Sequence, residues 1–126
     1  MPRFVQNAAM MRRARPEQAL QKAVCGHLAW RAATDCFWFH PPNGGWRSAI
    51  EAAVFKSLGV KPGVPDLILI HRGKVFGLEL KAGKRSRLSE AQHAWHERLR
   101  AAGAEIATAN NIDAALALLE QWGALR

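Results

Sequence analysis

Gly63-Val64-Pro65-Asp66-Leu67-Ile68-Leu69-Ile70-His71-Arg72-Gly73-Lys74-Val75-Phe76-Gly77-Leu78-Glu79-Leu80-Lys81 is the stretch on which the fold turns. Lys61-Pro62-Gly63-Val64-Pro65 reads as a rigid turn, because proline fixes φ and glycine reaches backbone conformations closed to other residues. Asp66 to Ile70 is then an apolar run of strand length, and His71-Arg72-Gly73-Lys74 a hairpin turn into a second strand ending at Lys81. Strand side chains alternate in direction, so Phe76, Leu78 and Leu80 point one way and Gly77, Glu79 and Lys81 the other. If Arg72-Gly73 forms a two-residue turn, His71 pairs with Lys74 and Asp66 falls opposite Glu79. Directly opposed Cβ atoms are about 4.5–5.5 Å apart. Arg72 suits a type I′ turn poorly, and a longer bulged loop would shift this register.

Two carboxylates at that separation repel unless a cation stands between them. A divalent metal serves well, and Lys81 is a second cation on the same face. Phosphodiester hydrolysis needs this set: a nucleophilic water, neutralised phosphoryl charge, and a group such as lysine to orient or deprotonate the water. A Glu-x-Lys on a strand also describes a solvated face with cross-strand ion pairs, and Asp66 at hairpin distance is what sets the present case apart.

Outward from this core, Pro16 suits a first helical position, and Leu20, Val24 and Leu28 give a helix over 16–32 an apolar stripe. Glu17 sits at the edge of that stripe. Cys36 to His40 reads as a short strand, ended by the loop Pro41-Pro42-Asn43-Gly44-Gly45. A helix over 47–58 presents Ile50, Val54 and Leu58 on one face, with Gly59 as its stop. Ser89 caps a helix over 90–102, a strand covers 104–108, and a last helix covers 112–122. The order α-β-α-β-β-α-β-α predicts an α/β fold, a central mixed sheet flanked by helices.

The 126 residues suit one domain over 16–126, and a hydrophobic share of 49% suffices for a core. Residues 1–15 carry Arg3, Arg12, Arg13 and Arg15 and read as a basic, flexible arm. The net charge of +8 favours an anionic partner, above all nucleic acid, since each lysine or arginine on a phosphate releases counterions. Lys84, Arg85 and Arg87 lie between the second hairpin strand and a helix N-terminus, a place suited to phosphate. Asn43 and Arg47 form a second candidate backbone-binding loop. Cys25 and Cys36 lack CxxC spacing and read as reduced thiols of a cytoplasmic protein. No apolar run reaches the roughly 20 residues that span a bilayer, so no membrane association is expected. His93 and His96 read as surface or DNA-facing residues rather than zinc ligands. Trp38, Trp46 and Trp95 read as core or interface residues, with Trp46 in its loop the best stacking candidate. There is no P-loop, no dinucleotide-binding glycine pattern and no local signature of a serine or cysteine triad.

Gly63 to Leu69, then Gly77-Leu78-Glu79-Leu80-Lys81, then Leu88-Ser89-Glu90-Ala91-Gln92, in this order and with these gaps, closely resemble the VRR-NUC family of the PD-(D/E)xK nuclease superfamily, in particular its small stand-alone phage and bacterial members. The resemblance extends from about Glu17 to the C-terminus. It implies a restriction-endonuclease-like core. It implies that Asp66 and Glu79, with the backbone carbonyl of Leu80, bind one or two Mg²⁺ or Mn²⁺ ions, and that Lys81 is the catalytic lysine. Glu17 matches a first-helix glutamate that reaches the metal in related nucleases, and Gln92 matches a glutamine close to the centre. Each has a second reading: Glu17 also suits a helix dipole, and Gln92 also completes a capping box with Ser89.

The expectation is a metal-dependent endodeoxyribonuclease acting on branched DNA, flaps or four-way (Holliday) junctions, without strict sequence specificity. A homodimer would set two active sites on two strands. The alternative is a non-catalytic or partner-dependent nucleic-acid-binding module of the same fold, against which the intact Asp66, Glu79 and Lys81 argue.

Overall fold

A computed structural model describes the backbone of residues 3–42, 48–83 and 87–126, and the side chains of those ranges from residue 16 onward. Helix α1 (Arg3–Arg31) leads to strand β1 (Cys36–Phe39), helix α2 (Ala49–Ser57), the hairpin β2 (Leu67–His71) and β3 (Lys74–Leu80), helix α3 (Glu90–Ala101), strand β4 (Glu105–Ala109) and helix α4 (Ile112–Gln121). The sheet order is β1-β2-β3-β4, antiparallel between the first three strands and parallel between β3 and β4. This is the mixed sheet with four helices that the sequence predicts, and it has the restriction-endonuclease-like architecture.

The hairpin takes the tight form. His71 pairs with Lys74, and Arg72 (φ 51°) and Gly73 (φ 78°) both lie in the left-handed region, as a type I′ turn requires. Arg72 tolerates this despite its Cβ. Its Nε donates to Asp35 Oδ2 at 3.1 Å, which ties the turn to the segment before β1. The same Asp35 faces the buried His71 ring, 3.3 Å from its Nδ1. The Arg72 hydrogen bond holds the Asp35 carboxyl below the usual carboxylate range.

One sheet face forms the core. Leu67, Leu69, Phe76, Leu78 and Leu80 pack with Val24 and Leu28 of α1, Ala115 and Leu119 of α4, and Trp122. Phe76 and Trp122 stack with ring centroids 4.9 Å apart. Burying each such large side chain stabilises the fold by about 1.5–3 kcal/mol. Trp38 packs at the edge of this cluster, and Trp95 is half-buried beneath the Arg98 guanidinium, 5.3 Å from its ring centroid. Trp46 lies outside the described residues.

The opposite sheet face is only partly covered. There α3 lies over Glu79, while Phe37, Phe39, Ile70 and Val75 remain exposed. Gly77 is required on the covered side: a Cβ there would lie 2.6 Å from Ile106 Cδ1 and 2.8 Å from Pro65 Cγ.

Three sequence expectations need correction. Helix α1 does not start at Pro16 but runs through it to Arg3. The stretch Ala8-Ala9-Met10-Met11-Arg12-Arg13-Ala14-Arg15 is rich in strong helix formers, and this outweighs the one backbone hydrogen bond that proline removes. Helix α2 is capped by Ser48 and starts at Ala49, and its stripe Ile50, Val54 and Leu58 is exposed, not packed on the sheet. His96 is buried, whereas His93 is exposed as expected.

Gly63 fixes how α3 meets the hairpin. It has φ 94°, and a Cβ there would stand 2.5 Å from the backbone carbon and oxygen of Ala91. Gly63→Ala is therefore expected to cost about 3 kcal/mol, from left-handed strain plus a backbone clash that no rotamer relieves. Gly59→Ala, at a similar φ of 90° but with open space around it, isolates the strain alone and should cost about 1 kcal/mol. Urea denaturation of the two variants measures the difference.

Candidate active site

Extending the hairpin register one residue beyond Leu67–Leu78 sets Asp66 opposite Glu79. The Leu80 backbone N–H donates to Asp66 Oδ2 at 2.8 Å, which turns that carboxylate toward β3. The Glu79 side chain is 1% exposed and is hydrogen-bonded to Asp66. Burial, then the Asp66 hydrogen bond and charge, push the Glu79 pKa up to about 9; Glu17 adds to this and Lys81 opposes it. At neutral pH without a cation, Glu79 therefore keeps its proton.

Lys81 continues the β3 line, half-buried, with its N–H donating to the Ala109 carbonyl at 2.9 Å. Lys81 and Glu17 both bear on Glu79 through their charges, so Glu17, Asp66, Glu79 and Lys81 belong to one electrostatic site. Among the described residues, no three His, Cys, Asp or Glu side chains converge as a metal-binding group. The pair Asp66–Glu79 is the close contact, and Glu17 acts on it from farther off.

Gln92 stands in the capping box. Its Oε1 accepts from the Ser89 N–H at 2.8 Å, and Ser89 Oγ accepts from the Gln92 N–H at 3.1 Å. This first turn of α3 is the one packed on Gly63, three residues before Asp66.

Two histidines near the pair lay outside the sequence reading of the site. His96 reaches down from α3, its Nε2 3.2 Å from Glu79 Oε1, and is itself 1% exposed. A signal for it existed: Gln92, Trp95, His96 and Leu99 fall at i, i+3, i+4 and i+7, the inward face of the helix. His40, just beyond β1, donates from Nδ1 to the Asp66 carbonyl. No sequence pattern marks that contact, because it joins residues 26 positions apart across strands. His40 also helps line an open cleft of about 520 Å³ with Gln18, Gln21, Lys22 and Cys25 of α1.

Arg87 is exposed. Lys84, Arg85, Asn43 and Arg47 lie outside the described residues.

The donor set fits a divalent cation. A protonated Glu79 beside Asp66 can exchange its proton for a metal ion, and the Leu80 backbone stands beside them. The mixed α/β sheet with Asp66, Glu79 and Lys81 at the end of the hairpin is similar to known structures. A solved chain named "VRR_NUC domain protein" superimposes with a TM-score of 0.64 at 27% identity, covering 84% of this chain and 86% of that one. A second, named "VRR_NUC domain", gives a TM-score of 0.58 at 21% identity, covering 85% and 97%. No protein-family model and no curated protein matches this chain. The chain is thus similar in fold to solved VRR-NUC domains and, at 27% identity to the first, similar to it in sequence as well.

The raised Glu79 pKa sets a pH dependence for the metal-free protein. The folded state holds a proton that the unfolded state has released above pH 4.5, so this contribution is full at low pH and is lost as pH rises toward 9. In EDTA, the wild type should therefore lose stability between pH 5 and pH 8, and Glu79→Gln should flatten that slope; thermal unfolding across the range gives the comparison.

Proposed function

We propose that this protein is a divalent-metal-dependent endodeoxyribonuclease that hydrolyses phosphodiester bonds in branched DNA, flaps or four-way junctions. The observation that carries the reading is the pairing of half-buried Asp66 with buried Glu79 beside Lys81, within a chain of net charge +8. Residues 16–126 act as the single nuclease domain, and residues 1–15 as a basic extension that adds DNA contacts.

Asp66, Glu79 and the Leu80 carbonyl hold one or two Mg²⁺ or Mn²⁺ ions, and Glu17 adds a third carboxylate charge to the site. The metal, when bound, supplies phosphoryl charge neutralisation and an activated water. Lys81, as a cation, would orient the attacking water and offset the charge on the phosphoryl oxygens. The Asp66 carboxylate is held in place by the Leu80 N–H, so it need not reorganise during reaction. Gln92 steadies the α3 end of the site through its cap and presents its amide toward the substrate.

DNA approaches the side where these groups open. Gln18, Gln21, Lys22 and His40 line a cleft joined to the site through the His40–Asp66 hydrogen bond, and all four carry hydrogen-bond donors. Lys84, Arg85, Arg87, Asn43 and Arg47 contact the phosphate backbone around it. Phe37, Phe39, Ile70 and Val75, with Ile50, Val54 and Leu58, give the exposed apolar surface that a homodimer would cover.

A panel of labelled duplex, flap and four-way DNA with Mg²⁺ or Mn²⁺ tests the activity. Wild type should cut a branched substrate, and Glu79→Gln or Lys81→Ala should slow cleavage by about 10²-fold or more. A wild type that cuts none of the substrates, or variants that cut as fast, would sink the reading. Lys22→Ala should weaken DNA binding and lower the slope of log affinity against log salt by about 1, as measured by fluorescence anisotropy.

A further inference from the structure

We infer that His96 is a positioning residue of the metal centre: from α3 it donates a hydrogen bond to Glu79 and fixes the orientation of that carboxylate toward its cation. The inference rests on the metal-binding reading of Asp66 and Glu79 given above.

The geometry is specific. His96 Nε2 lies 3.2 Å from Glu79 Oε1, and both side chains are 1% exposed. His96 Nδ1 is the one buried side-chain nitrogen or oxygen, among the described residues, without a hydrogen-bond partner. That vacancy chooses the tautomer. An imidazolium, or a neutral ring protonated at Nδ1, would bury an N–H with no acceptor, at about 1–3 kcal/mol or more. A neutral ring protonated at Nε2 leaves only a lone pair unpaired and aims its single donor at Glu79.

Glu79 has no freedom to find this orientation unaided. It lies on β3, between Leu78 and Leu80 of the core, and α3 covers it. One oxygen engaged by His96 leaves the other part of the carboxylate for Asp66 and the metal. Hydrogen bonds to a ligating carboxylate raise metal affinity, and their removal commonly costs 10–100-fold. A residue that served packing alone at this position would be better apolar, since a buried ring nitrogen without a partner is unfavourable.

The test uses Mn²⁺ binding by calorimetry, with thermal unfolding as a check on folding. His96→Leu fills the site without a donor, His96→Gln carries an N–H near the Nε2 position, and His96→Asn carries one near Nδ1. The expected result is a loss of about tenfold or more in Mn²⁺ affinity for His96→Leu and His96→Asn, with His96→Gln within about threefold of wild type. His96→Leu should unfold at a temperature no lower than wild type. If it does not fold, the contrast between Gln and Asn still decides the matter. A folded His96→Leu, or His96→Asn, that binds Mn²⁺ as tightly as wild type overturns the inference, and so does a His96→Gln that binds as weakly as His96→Asn. A wild type that binds no Mn²⁺ overturns the metal-centre reading itself, and this inference with it.

Discussion

Asp66 and Glu79 occupy opposed positions on a two-strand hairpin, one of them fully buried, and ordinary electrostatics does not allow both to ionise there without a counter-charge. In the absence of a cation, the proton that Glu79 keeps meets the requirement. The rest of the molecule is organised around this constraint. The Arg72-Gly73 turn sets the register that opposes the two carboxyls, and the Arg72 side chain reaches Asp35 from it. The Leu80 N–H and His96 grip one carboxyl each.

The two sheet faces divide the work. The face with Phe76, Leu78 and Leu80 supplies the apolar burial that stabilises the domain against chain entropy. The other face gives up part of that stabilisation to bury a carboxyl and an imidazole. Polar burial of this kind is unfavourable unless each group is partnered, and it is commonest at sites that do chemistry. Helix α3 makes the partnering possible because its first turn lies directly on Gly63, where no side chain stands between the two backbones.

The charge distribution is consistent with an anionic substrate. The net charge of +8 is not answered by buried ion pairs. The described arginine and lysine pairs, such as Arg31–Glu120, Arg100–Glu97 and Lys74–Glu105, are solvent-exposed and contribute little to stability. The remaining positive charge is therefore available for steering and binding a polyanion rather than committed to holding the fold.

Much of this was legible without coordinates. Strand alternation alone places Glu79 and Lys81 on one face, and the order of elements, the core stripe Val24–Leu28 and the cap at Ser89 follow from local physics. What the sequence left open was register: Arg72 disfavours the tight turn by its own propensity, and the pairing of β2 with β3 along their whole length decides it. The length of α1 was likewise misjudged, because a proline reads as a start when the weight of helix-forming residues before it is discounted. His96 was missed for a related reason. A polar residue on the inward face of a helix gains meaning only from what it meets across the interface, and that partner lies 17 residues earlier on a strand. Local periodicity thus determined the elements and most of the candidate residues. Burial and long-range pairing, which tertiary contacts alone decide, determined that two carboxyls and an imidazole share one site.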